Sequence, residues 1–240
     1  MTAYISALYA LHENIVEECT NKVAESFHTT APVIHGILRR SDFQPSENQV
    51  LNYIYPNVKI SKRTQFLFGH LLKLVRERNL IMMTTANDGT CFYDAFAKSL
   101  SEIRSQNYTA QTMMDKVAEA ALSWEYQDFI LPRLIWTEYE NTPGKWSFDV
   151  RRGKAWGTPT LDGAILAGEY NVNLKMIGVG LLGDSRDLID ENVYIDIDTV
   201  VPCYTVITAT RAVRECSDTI YMANISDHFI ALFERRNSKE

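Results

Sequence analysis

The chain has 240 residues, enough for one domain with its own core and at most a modest extension. With 46% hydrophobic and 22% charged residues, its composition is that of an ordinary soluble globular protein. A net charge of −6 speaks against nucleic-acid or anionic-membrane binding, which needs basic patches, and four widely spaced cysteines without a CxxC pair predict neither a zinc site nor a disulfide framework.

Reduced thiols in a cytoplasmic compartment are the simplest reading of Cys19, Cys91, Cys203 and Cys216. The N-terminus has no basic n-region, and His12, Glu13 and Asn14 interrupt its apolar residues, so neither a secretory signal nor a membrane span is expected there. A secretion signal of another kind would leave no mark in this pattern.

Taken in chain order, Ile5, Leu8, Tyr9, His12, Val16, Cys19, Val23 and Phe27 recur at helical spacing and predict a long amphipathic helix over residues 3–28. Pro32 and Gly36 break the pattern. A helix is expected from about Glu47 to Tyr55, capped by Ser46 and stopped by Pro56, and another over residues 61–78. Residues 80–85 form a short apolar run that fits a strand. An apolar stripe of Phe92, Ala95, Phe96, Leu100 and Ile103 predicts a helix starting at Cys91. Helices follow over residues 109–126, 127–139 with Pro132 as an interruption, and 158–170 with Thr158 as cap and Pro159 at the first position. The period then changes. Residues 172–179, 193–201, 204–209, 219–225 and 228–234 are short, rich in β-branched and aromatic residues, and separated by turns, as strands are. Helices first and strands later predict an α+β fold. No GxGxxG or GKS/GKT follows the glycines of residues 178–183, so phosphate binding is not expected.

The stretch TANDGTCFYDAFAKSL, residues 84–99, carries the chemistry. A thiol at a helix N-terminus feels the positive end of the helix dipole, which favours the thiolate. Free N–H groups in the same turn can face an incoming oxyanion. Gly89 is placed to take a positive φ in a tight turn. The plain alternative, a small buried cysteine behind an Asp-Gly-Thr cap, is the commoner on this stretch alone. A cysteine nucleophile needs a base. His12, His28, His35 and His70 lie in the helical N-terminal third, whereas His228 opens the last strand in NISDHFIALFE, after a polar turn.

DGTCFYDAFA closely resembles the DGxC-aromatic motif of the ovarian tumour (OTU) family of cysteine deubiquitinases. WGTPTLDGAILAGEYNVNLKMI, residues 156–177, is similar to the family's Trp-Gly helix and the strand after it, and HFIALF, residues 228–233, to its closing His-aromatic strand. The three segments stand in the family's order over residues 80–234. The resemblance implies a papain-like α+β fold, with a small, mostly antiparallel sheet flanked by helices. It divides the chain into a helical N-terminal region, residues 1–79, and a catalytic core, residues 80–240. The N-terminal helices either form a ubiquitin-binding arm or only cap the core.

The resemblance further implies that Cys91 is the nucleophile and His228 the general base. Asp88 matches the acidic residue of the catalytic loop, and the backbone of Asp88, Gly89, Thr90 and Cys91 matches the oxyanion loop. Trp156 and Gly157 match a structural turn. Two positions depart from the pattern. Thr90 stands where members usually carry Asn, and Ile230 stands where many carry the Asp or Asn that orients the histidine. An orienter would then come from elsewhere, with Asn224, Asp227, Asn87 and Asp88 as candidates. The implied activity is cleavage of isopeptide bonds at the ubiquitin C-terminus, without cofactor or metal. Ubiquitin or polyubiquitin chains are the expected partners, with neither nucleic acid nor membrane. The alternatives are a protease for another ubiquitin-like modifier and a catalytically decayed ubiquitin-binding module. The expected location is the cytoplasm, or a host's cytoplasm if the chain is a bacterial effector or a viral protein.

Overall fold

The computed structural model describes residues 45–56, 58–135, 137–181, 194–201, 218–225 and 228–235. The helix expected over residues 3–28 and the strand expected over 204–209 lie outside them. Helix α1, Glu47–Ile54, begins at a capping box: the Gln49 N–H donates to Ser46 Oγ, while Ser46 N–H donates to Gln49 Oε1. Helix α2, Lys62–Glu77, opens on a simple serine cap, with Ser61 Oγ accepting from Thr64 N–H at 3.0 Å. Strand β1, Leu80–Met83, leads through a polar loop into α3, Cys91–Arg104.

The next helices differ more from expectation. Helix α4 spans Ala110–Leu122, and a short 3₁₀ turn, Trp124–Tyr126, separates it from α5, Gln127–Leu134. Pro132 sits inside α5, which stops at Leu134 rather than at 139. Helix α6, Pro143–Arg151, was not anticipated. Its signal is one proline at the first position, and it has no side-chain cap. The expected helix over 158–170 starts at its Thr158 cap with a π-type turn, Pro159–Gly163, before α7, Ala164–Tyr170.

Four more strands follow: β2, Asn173–Leu181; β3, Tyr194–Val201; β4, Thr219–Ile225; and β5, His228–Glu234. The sheet order is β1-β5-β4-β2-β3. All neighbours run antiparallel except β2 and β4, which are parallel. This is the expected α+β class, with a small, mostly antiparallel sheet between helices.

Ser46 to Arg235 form one compact unit, so α1 and α2 pack with the sheet rather than apart from it. Their apolar stripe, including Val50, Ile54, Leu67, Phe68 and Leu71, joins Ile177, Val179, Ile225, Ile230 and Leu232 in one buried cluster. Helix α3 covers the opposite face of β5 and β4, and its Ser99 Oγ donates to Tyr221 O at 2.9 Å. Strand β5 is therefore buried on both faces, from Phe229 to Phe233. Among the described residues no helix is long and apolar enough to cross a membrane.

Two contacts tie the turn before α7 to α3. The Tyr93 hydroxyl donates to Asp162 at 2.6 Å, and the other carboxylate oxygen takes the Thr158 N–H at 2.8 Å. Asp162 is fully buried, and burial pushes its carboxyl up. Gly157 lies against the Phe92 ring: a Cβ there would fall 2.5 Å from Phe92 Cδ1 and 2.8 Å from its Cβ. Phe92 cannot retreat, because its ring packs edge-on to Tyr93 and Phe229. Gly157→Ala should therefore destabilise the fold by about 1–3 kcal/mol, the ordinary cost of overpacking a dense core. Chemical denaturation would read this, and an unchanged midpoint would show that the Phe92 packing is slack.

Candidate active site

The site is built where the N-terminus of α3 meets the first residues of β5. The loop before α3 is held by Asp88, whose Oδ1 accepts from Thr90 N–H at 2.8 Å and from the Thr90 hydroxyl at 2.5 Å. Cys91 N–H donates to Asp88 O at 3.2 Å. The exposed Asp88 carboxylate thus shapes the loop. Two of the four N–H groups expected to meet an oxyanion are already bonded within it. Those of Asp88 and Gly89 have no hydrogen bond among the described residues.

Gly89 does not use the positive φ expected of it; among the described glycines only Gly153 does, with φ 64°. The need for glycine at 89 is spatial instead. A Cβ at Gly89 would stand 2.7 Å from the Gly153 carbonyl oxygen, and one at Gly153 would stand 2.8 Å from Thr90 Cγ2. The loop after α6 is therefore laid directly against the loop before Cys91. Trp156, in the same segment, is more than half exposed, while Gly157 beside it is buried.

Cys91 is buried, and the backbone N–H groups of Phe229 and Phe92 face its sulfur. These favour the thiolate, but burial outweighs them, and the Asp88 charge adds to burial, so the thiol is pushed up. The expectation of a depressed thiol is corrected here. A helix end stabilises the thiolate only modestly, whereas removing the sulfur from water costs the charged form more.

His228 pairs across the sheet with Ile225 and is half-buried. Burial lowers its proton affinity, and the Asp94 charge partly offsets this. Its Nε2 lies 3.3 Å from Thr85 Oγ1, and the Thr85 hydroxyl donates to Phe229 O at 2.5 Å. The ring packs on Tyr55, with centroids 5.1 Å apart. Tyr55 also feels Cys91: burial chiefly, and the sulfur's charge next, push its phenol up. Cys91 and His228 are therefore joined three ways, through Phe229, through Tyr55 and through the packing of α3 on β5.

Of the expected orienters, Asn224 donates its amide to the His228 carbonyl at 3.4 Å, not to the ring. Asn87 and Asp88 make no described bond to that ring, and Asp227 lies outside the described residues. Ile230 is fully buried in the apolar cluster. Three residues at the site escaped the sequence reading: Tyr55, Thr85 and Asp94. Asp94 had a visible signal, an ion pair to Lys98 at helical i,i+4 spacing, measuring 2.8 Å. Thr85 and Tyr55 had none. No group of three or more metal-ligating side chains occurs among the described residues.

No protein-family model and no curated protein sequence matches the chain. Solved structures do. An OTU deubiquitinase from Wolbachia pipientis wMel bound to ubiquitin is 20% identical, covers 66% of this chain and 98% of its own, and superposes with a TM-score of 0.50. An OTU deubiquitinase from the same organism is 22% identical over 67% of this chain and 93% of its own, with a TM-score of 0.43. The viral OTU domain protease from Taggert virus is 15% identical over 68% of this chain and 84% of its own, with a TM-score of 0.46. The likeness to the ubiquitin-bound Wolbachia structure carries the assignment: the chain has the OTU fold.

Burial raises the Cys91 thiol and lowers the proton affinity of His228, and both shifts favour the neutral form of each group. Alkylation of Cys91 by iodoacetamide, followed at that residue by peptide mass, should therefore accelerate with pH to a midpoint above the usual thiol value of about 8.5. A rate that stays high well below neutral pH would instead mean a preformed thiolate–imidazolium pair.

Proposed function

We propose that this protein is a cysteine deubiquitinase of the OTU family. The observation that carries the reading is the Cys91 sulfur at the start of α3, held against the Phe229 N–H, with His228 the residue immediately before Phe229 in β5. The OTU fold and the ubiquitin seen on the Wolbachia enzyme support ubiquitin as the modifier.

In the proposed reaction the substrate carbonyl is that of the isopeptide bond after the ubiquitin C-terminal glycine. His228 takes the Cys91 proton as the sulfur attacks, so charge develops only when the carbonyl is in place. The N–H groups of Asp88 and Gly89, which are not bonded within the loop, receive the oxyanion. The imidazolium returns its proton to the departing lysine amine, and a thioester remains. Water, giving a proton to His228, then hydrolyses the thioester and restores the thiol. No metal or cofactor takes part. The thiol must stay reduced, which suits a cytoplasm, including a host cytoplasm if the protein is delivered there as an effector. In the same reading, residues 80–240 are the catalytic core. The helices α1 and α2 before them support the face on which Tyr55 meets His228.

Ubiquitin carrying a C-terminal thiol-reactive group, read by intact mass, tests the reading. The wild type should gain one ubiquitin, and Cys91→Ala none. His228→Ala should cleave a fluorogenic ubiquitin amide on the order of 10²–10⁴-fold more slowly, the usual worth of a general base. Folded wild-type protein that ignores ubiquitin but reacts with another modifier's probe would move the assignment to that modifier. Reaction with neither, alongside binding of ubiquitin, would make it a binding module.

A further inference from the structure

We infer that Thr85 is the positioning residue of His228, fixing which ring nitrogen carries the proton. The inference deepens the function proposed above and rests on it, because it concerns the base of that reaction.

The argument is one of hydrogen-bond supply. A threonine hydroxyl has one proton and two lone pairs. Thr85 spends its proton on Phe229 O, 2.5 Å away, since a backbone carbonyl can only accept. What remains toward His228 Nε2, at 3.3 Å, is a lone pair. The imidazole must therefore present Nε2–H there, and the other nitrogen, Nδ1, is left bare. A bare nitrogen is what a base needs to take a thiol proton; the opposite tautomer would set a lone pair against a lone pair at Thr85 and leave Nδ1 without basic capacity.

Thr85 is itself held on both sides. Lys98 Nζ donates to Thr84 O at 2.9 Å, and Asp94 accepts the Ala86 N–H at 2.8 Å. Lys98 and Asp94 are paired with each other at 2.8 Å. Both stand on α3, one and two turns after Cys91. The helix that carries the nucleophile thus also clamps the backbone on either side of the residue that sets the base. Asp94 further favours the imidazolium through its charge, though it does not touch the ring. Tyr55 covers the ring from the α1 side. The work of one carboxylate is divided in this protein between a neutral hydroxyl at the ring and a charge a short distance behind it.

Nitrogen NMR of the full-length, reduced protein tests this directly. The His228 ring signals would be identified by their loss in His228→Gln. Above the histidine's titration, wild type and Thr85→Ser should show the Nε2–H form, and Thr85→Val a mixture of tautomers. With a fluorogenic ubiquitin amide, Thr85→Val should lose roughly ten- to a hundredfold in kcat, part of what a general base contributes, with KM little changed and activity restored in Thr85→Ser. An Nδ1–H form in the wild type would overturn the inference, and so would a Thr85→Val protein with wild-type tautomer and kcat. Should Thr85→Val fail to fold, the wild-type tautomer still decides. A wild type inactive on ubiquitin would defeat the proposed function, while the tautomer measurement would still judge Thr85.

Discussion

The contact on which the structure turns is the one between the N-terminus of α3 and the second residue of β5. Phe229 uses its backbone on both sides: its N–H faces the Cys91 sulfur, and its carbonyl takes the Thr85 hydroxyl. Its ring packs edge-on against Phe92, the residue after the cysteine, at 5.1 Å between centroids. Helix start and strand start are thereby locked together by one residue that carries no chemistry of its own. Alternation along a strand then does the rest. With Phe229 turned toward α3, His228 turns to the other face, where Tyr55 receives it. The glycines belong to the same constraint. Gly157 lets the chain pass over Phe92, and Gly89 lets the cysteine loop pass under Gly153, in each case where a single methyl group would collide.

Burial sets the electrostatics of the pair. Both groups are removed from water, and desolvation always disfavours the charged form, so it raises a thiol and lowers a histidine. The two effects reinforce each other in one direction, toward a neutral resting pair. Charges near the site act against this only in part: Asp94 draws protons to His228, while Asp88 resists a thiolate. In the proposed reaction a thiolate would therefore form as the proton moves to His228 during attack, with the new negative charge passing to the substrate oxygen.

What was legible in the sequence follows from how far each signal extends. The helices over 47–54 and 62–77 were readable from their caps and apolar stripes, and that over 91–104 from its stripe alone, because such signals are local, set within three or four residues. Strands β2, β4 and β5 were readable from their run of apolar and β-branched residues. Helix α6 was missed because Trp146, Ser147 and Val150 bury themselves against α4, so its stability is tertiary and leaves little periodic trace. At the site, Cys91 and His228 stood out by motif. Thr85 did not, since a threonine six residues before a cysteine becomes significant only once β1 has paired with β5 and carried it to Phe229. The thiol's acidity was misread for a related reason: the helix dipole is visible in sequence, whereas burial is not.

Ile230 and the helices before the sheet explain one another. Position 230 lies on the same face of β5 as His228, and in this protein α1 and α2 cover that face with Val50, Ile54, Leu67 and Phe68. A carboxylate there would sit in a dry, apolar cluster. Its burial would cost several kcal/mol, or it would protonate and cease to orient anything. Isoleucine contributes to the cluster instead, and Tyr55, from the same helical layer, closes over the histidine ring. With the strand face committed to packing, a polar partner for the ring has to arrive from the strand's end, and the loop after β1 brings Thr85 there. A hydroxyl suits that position because it accepts from the imidazole without carrying a charge into the interior, and because its one proton is already satisfied by Phe229. The departure at 230 is thus the expected companion of a sheet face sealed by helices.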